Sequence, residues 1–141
     1  MQIDPRGPRF AAALSAAVLG AVLLSGSGLL LTLQGIVFGL GAIGGLHRSP
    51  YNWLYRTLLL PRLAPPTATE DERPPRFAQG VGLVFAAVGA LGFLTGVTWL
   101  GLLATAFALA AAFLNAVFGY CLGCEMYLLV RRSQGRLDAA S

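Results

Sequence analysis

Apolar residues run from Phe10 to Leu24, stop at Ser25-Gly26-Ser27-Gly28, and resume from Leu29 to Leu46. The break carries no charge, and a Gly-Ser turn is compact enough to join two antiparallel helices. The second half behaves alike. A run from Phe77 to about Leu94 pauses at Thr95-Gly96-Val97-Thr98, then continues from Trp99 to Val130. A bilayer core takes about 20 residues of helix. The first run alone is slightly short of that, and the last is too long for one straight span. Gly119 and Gly123 interrupt the last run, so its spanning helix is expected to end near Phe118. A shorter helix or re-entrant bend is expected over Glu125 to Arg132. The pattern predicts an all-α membrane protein with four transmembrane helices, arranged as two helical hairpins with short interfacial helices.

Between the hairpins lies the longest polar stretch. Tyr51, Trp53 and Tyr55 suit an interfacial belt. With Leu58, Leu59, Leu60 and Leu63 they predict a short helix lying on the membrane. Pro65-Pro66, the acidic Glu70-Asp71-Glu72 and Pro74-Pro75 then read as a stiff, solvated linker. This divides the chain into a first hairpin unit over residues 1–64, a linker over 65–75, and a second hairpin unit over 76–141.

Pro8-Arg9-Phe10-Ala11 recurs as Pro75-Arg76-Phe77-Ala78, each copy opening a hairpin. Each hairpin ends in an aromatic, polar-interrupted segment, Ser49 to Tyr55 and Cys121 to Tyr127. Two helices return the chain to its starting side. The copies are therefore expected to run parallel, related by an axis along the membrane normal.

Composition strengthens the membrane reading. Hydrophobic residues make up 56% of the 141-residue chain and charged residues 11%, against roughly 25% charge in soluble domains. So few charges exclude a disordered chain, a disulfide scaffold and an ordinary cytosolic enzyme. The net charge of +4 comes with no Lys at all, and the abundance of Ala, Gly and Arg matches a GC-rich bacterial genome. A nucleic-acid role is rejected, because the arginines sit at the ends of apolar runs. Arg6 and Arg9 precede the first helix, Arg48, Arg56, Arg62, Arg73 and Arg76 lie between the second and third, and Arg131, Arg132 and Arg136 follow the fourth. The hairpin tips have none. Cytoplasmic segments retain positive charge, so both termini and the central loop are expected on the cytoplasmic side of a bacterial inner membrane. A cleavable signal peptide over the first run is the competing view. The run continues into a second apolar segment, and no clean A-x-A site ends it.

No Asp, Glu, Lys or Arg lies deep in any run, which argues against a proton- or ion-coupled pump. Gln34, Asn115, Thr32 and Thr105 fit interhelical hydrogen bonds.

Chemistry concentrates at Cys121 and Cys124, the only cysteines. Their C-x-x-C spacing lets two sulfurs meet, and a helix N-terminus lowers a thiol pKa. Arg131 and Arg132 add positive potential, while Glu125 opposes the thiolate or shuttles a proton. On the cytoplasmic side reducing pools keep thiols reduced, so a dithiol is expected there, beside His47 and Tyr51 of the other half, and not a structural disulfide. A metal site with His47 and Glu125 as further ligands is the weaker alternative, since zinc requires four ligands. The blandest alternative is two small apolar residues in a helix.

Asp4-Pro5-Arg6-Gly7-Pro8-Arg9-Phe10, Pro74-Pro75-Arg76-Phe77-Ala78-Gln79-Gly80 and Phe113-Leu114-Asn115-Ala116-Val117-Phe118-Gly119-Tyr120-Cys121-Leu122-Gly123-Cys124-Glu125 resemble the bacterial membrane-protein family called domain of unknown function 4395. The resemblance covers nearly the whole chain, and its last block is the most specific. Members are often encoded near thioredoxin-like and rhodanese-type proteins, which implies sulfur or thiol-redox metabolism.

The expected function is a thiol-disulfide electron relay or sulfane-sulfur transfer with a thioredoxin-like or rhodanese-like partner. Cys121 and Cys124 are the candidate catalytic residues, Cys121 attacking and Cys124 resolving. No cofactor motif is present, so the dithiol itself carries the redox equivalents. Two alternatives stand beside it. One is transport of a small sulfur compound, for which a homo-oligomer would enclose the path. The other is a non-catalytic membrane anchor recruiting soluble sulfur enzymes through the central loop.

Overall fold

The computed structural model describes residues 2–3, 6–62, 69–71 and 73–140, without the side chains of residues 2, 3, 70 and 136–140. Leu63, Pro65, Pro66 and Glu72 of the central loop lie outside the described residues. Helix α1 spans Arg6–Ser25 and α2 Gly28–Gly44. A 3₁₀ turn at Leu46–Arg48 leads to α3, Pro50–Leu54, which continues through a π turn at Tyr55–Leu59 and a 3₁₀ turn at Leu60–Arg62. Helices α4 at Arg73–Leu94, α5 at Thr98–Phe118 and α6 at Leu122–Ala140 complete the chain. Strands β1 at Gln2–Ile3 and β2 at Glu70–Asp71 pair antiparallel, Gln2 facing Asp71 and Ile3 facing Glu70.

Helices α1, α4 and α5 are long and apolar enough to cross a membrane, and α2 is a shorter apolar helix. Their outer faces expose Leu29, Ile43, Leu91, Leu94, Trp99 and Phe107. Apolar surface on this scale suits a lipid bilayer better than water.

Both predicted turns form where the pattern breaks. Ser27 caps α2 by accepting the Leu30 N–H at 3.1 Å, and Ser25 Oγ closes α1 by donating to the Ala21 carbonyl at 2.7 Å. Thr95 Oγ1 donates to the Leu91 carbonyl at 2.5 Å at the end of α4. The Ser27 hydroxyl satisfies a backbone donor that a helix start leaves unpaired, while the Ser25 and Thr95 hydroxyls bond back one turn within their own helix ends.

Packing departs from two self-contained hairpins. α1 lies chiefly against α5, and α2 against α4, with α4 also packed on α5. Each helix pair therefore finds its main partners in the other half of the chain. Leu19, Val22, Leu31, Phe38, Ala86, Ala90 and Ala108 form the shared core. Buried polar groups are tied together inside it. Gln34 Nε2 donates to Ser15 Oγ at 3.2 Å, and Tyr51 Oη donates to Gln34 Oε1 at 2.5 Å. Thr105 Oγ1 donates within its own helix to the Gly101 carbonyl. An apolar interior makes such partners obligatory.

Three expectations are corrected. The interfacial belt loses two of its rings: Tyr51 is tied to Gln34, and Tyr55 is buried against Phe10, the centroids 6.0 Å apart. Trp53 alone of the three is largely exposed. α4 begins at Arg73, inside the segment read as linker. Proline is tolerated in a first helical turn, where its missing N–H bonds nothing, so Pro74 and Pro75 start this helix. α6 is a full helix of 19 residues and not a short bend. Its charged half carries no apolar run, yet Arg, Gln and Leu are good helix formers.

Candidate functional site

The cysteine pair is positioned by the junction of α5 and α6. Gly119 ends α5 with φ 68°, a left-handed conformation that favours glycine. Its N–H returns to the Asn115 carbonyl at 3.1 Å. The chain turns there, and α6 starts three residues later, at Leu122. The Cys121 carbonyl accepts the Glu125 N–H at 3.0 Å, and Cys121 Sγ accepts the Cys124 N–H at 3.1 Å. Cys121 thus occupies the capping position of α6, its sulfur in the place usually taken by a Ser or Asp oxygen.

The two sulfurs are bonded, with the Cα atoms 5.1 Å apart, inside the roughly 4.4–6.8 Å of bridged cysteines. The dithiol expected from the cytoplasmic setting is thus replaced here by its oxidised form. One turn of helix from the capping position suffices to bring the side chains together.

α6 is seated on α4. A Cβ on Gly123 would stand 2.6 Å from Ala78 Cα, so only glycine permits this approach. Four residues on, Tyr127 meets Phe77 with ring centroids 5.7 Å apart. The recurrent Pro-Arg-Phe-Ala segment therefore forms the platform under the pair.

Arg9 is the cation beside the site. Its Nη2 donates to the Ala116 and Val117 carbonyls at 3.3 and 3.4 Å, and a Cβ on Gly119 would lie 3.6 Å from its Cζ. Arg76 does the equivalent at the other helix end. Its Nε and Nη2 donate to the Ala42 carbonyl at 3.2 and 3.0 Å, and Nη2 also reaches Ile43 O at 3.1 Å. A cation at a helix C-terminus meets the negative end of the dipole.

Two cavities meet at the pair. A polar one of about 310 Å³ is bordered by Arg9, Asp71, Tyr120, Cys121, Cys124 and Glu125. An apolar one of about 250 Å³ runs among α1, α4, α5 and α6, with Phe38 of α2 and Cys121 but not Cys124 in its wall. Pro8, Pro75 and Asn115 border both. Asp71 is paired with Arg73, whose Nε donates to Oδ2 at 2.8 Å and whose backbone N–H donates to Oδ1 at 3.0 Å. These bonds hold the Asp71 carboxyl down to about 2, so it stays charged at neutral pH.

His47 and Tyr51 border neither cavity, contrary to expectation. Tyr51 is drawn to the buried Gln34 amide, and the His47 carbonyl accepts from Arg56 Nη2 at 2.9 Å. Among the described residues no three His, Cys, Asp or Glu side chains converge as metal ligands. Arg9 and Asp71 are the site residues that motif reading missed. The recurrence of Pro-Arg-Phe-Ala was the one sign pointing to Arg9.

The pattern of the family called domain of unknown function 4395 matches residues 3–132. The chain belongs to that family. In this member the matched region takes in both Pro-Arg-Phe-Ala segments and the whole cysteine junction. No curated protein and no solved structure matches the chain.

Proposed function

We propose that this protein is a thiol-redox relay of the bacterial inner membrane. It spans the bilayer four times, with both termini and the Cys121–Cys124 pair facing the cytoplasm. The pair exchanges two electrons with a thioredoxin-like partner. The partner's dithiol becomes a disulfide as the Cys121–Cys124 bond opens to two thiols, and the reverse step restores it. A rhodanese-like partner handing over sulfane sulfur would use the same thiols.

One observation carries the proposal: Cys121 Sγ accepts a backbone N–H at the first turn of α6 while bordering an open polar cavity. A thiolate formed there is stabilised by the helix start. That favours Cys121 as the attacking sulfur.

The spanning reading has its own support. α2 has 17 residues, about 25 Å of helix at 1.5 Å per residue, which reaches the lower end of spanning lengths. The parallel repeat is supported by the matching roles of Arg9 and Arg76, each opening one helix and binding the end of another. The aromatic pairs Phe10–Tyr55 and Phe77–Tyr127 correspond in the same way.

Trapping tests the function. Cys124→Ser leaves Cys121 unable to form its internal bond, so this variant should accumulate a mixed disulfide with a thioredoxin-like protein. Cys121→Ser should accumulate far less. Absence of any adduct from both variants, in a protein that still inserts, contradicts the relay. A reporter fused after Ser141 should be active only in its cytoplasmic form.

A further inference from the structure

A dithiol that takes electrons from a soluble partner must discharge them. The soluble side is served by the polar cavity. The apolar cavity gives Cys121 a second face, directed into the helix bundle. Its volume of about 250 Å³ lies near the lower edge of the roughly 300–1,000 Å³ of small-molecule sites. That is room for a ring, not for a long ligand.

Three features of the wall define what fits. Phe85 and Phe107 offer paired rings, centroids 6.4 Å apart. Phe107 and Met126 also reach the outer surface, 58% and 47% exposed, so the chamber borders the face turned to lipid. Gln79 and Asn115 bring side-chain amides to a lining whose other polar side chains are Cys121 and Ser15, the latter already bonded to Gln34. Both side chains are half-buried, and among the described residues neither amide has a hydrogen-bond partner, so both are free to donate to a ligand's acceptors.

We propose that this chamber binds the ring of a membrane quinone, which oxidises the Cys121–Cys124 dithiol. A quinone is flat, enters from lipid, and carries two carbonyl acceptors that suit the two amides. In the step, two S–H bonds break and the S–S bond forms. Two electrons pass to the quinone, and two O–H bonds form as it takes up two protons to become quinol. A lipid acyl chain would fill the space equally well, but it leaves both amides unpaired and accepts no electrons. The inference rests on the redox reading of the pair.

The test uses the full-length protein in nanodiscs, its pair first reduced with dithiothreitol that is then removed. Decylubiquinone is added, and quinol absorbance is followed alongside maleimide labelling of the thiols. One quinol per disulfide formed is expected. Gln79→Leu, which alters the apolar chamber alone, should lower the quinone rate about tenfold relative to the rate with oxidised thioredoxin. Filling the chamber by Ala112→Phe should lower the same ratio further. If oxidised thioredoxin reacts with the pair while decylubiquinone does not, the quinone site is overturned and the relay stands. If neither oxidant reacts, both readings fall. A quinone rate untouched by Gln79→Leu and Ala112→Phe overturns the assignment to this chamber, as does loss of that rate when quinone-free lipid alone competes.

Discussion

Arg9 and Arg76 do the same work at two corners of the molecule, yet the chain beyond each helix end they bind differs. Beyond α2 it is locked. Tyr51 bonds Gln34, Gln34 bonds Ser15, and Tyr55 is buried against Phe10. Beyond α5 it is open. Cys121 and Cys124 are half-buried, and Cys121 has a polar cavity on one side and an apolar one on the other. One scaffold thus carries a sealed end and an open end. Gln34 is buried and bonded to Tyr51, whereas the half-buried amides of Gln79 and Asn115 find no partner among the described residues.

Substitution at Gly123 should strain the open end most. Gly123→Val forces new atoms into Ala78, so α6 must move off α4, at a cost of about 1–3 kcal/mol. Thiol exchange should fall more than tenfold with helix content by circular dichroism unchanged. The sealed end answers to Gln34→Leu. It leaves the hydroxyls of Ser15 and Tyr51 without their partner, which costs about 1–3 kcal/mol and should lower the thermal midpoint in detergent. Exchange with thioredoxin at the cysteines should not change, because Ser15, Gln34 and Tyr51 do not border the polar cavity of the pair.

Arg9→Gln and Arg76→Gln sharpen the comparison further. Each removes a cation from a helix C-terminus, at roughly 0.3–1 kcal/mol, and the two should destabilise alike. Arg9→Gln should also slow thiol exchange several-fold, since Arg9 borders the cavity of the pair, while Arg76→Gln should not. Equal kinetic effects would erase the distinction between the ends.

The smallest effect is expected at Asp71. Its carboxyl is held at about 2, below the ordinary 3.8, first by the side-chain and backbone bonds from Arg73. A lowered folded pKa adds stability above the unfolded value and loses it as pH falls through the folded one. The stability difference between wild type and Asp71→Asn should therefore be flat above about pH 5. It should shrink as pH falls toward about 2.

The apolar runs and their uncharged breaks made the long helices legible in sequence, because helix length and turn chemistry are local properties. The crosswise packing of α1 on α5 was not legible, since an Ala- and Gly-rich face accepts many partners. The partner of Tyr51 was hidden too. An aromatic ring near a membrane end reads as a belt until a buried amide claims its hydroxyl. At the site, the cysteine spacing announced the pair, and Gly119 announced the turn. Arg9 lies more than a hundred positions away in sequence, and only the repeated Pro-Arg-Phe-Ala hinted at it. The length of α6 was missed because the apolar signal stops at Val130 while helix propensity continues.

The most direct measurement is the thiol state of the native protein before and after reduced thioredoxin. Membranes are quenched with a maleimide, and the intact protein is weighed. We predict an unlabelled, bridged protein that gains two maleimides as an equal amount of thioredoxin is oxidised. A pair that stays bridged beside excess reduced thioredoxin, or gains label with no thioredoxin oxidised, would contradict the relay.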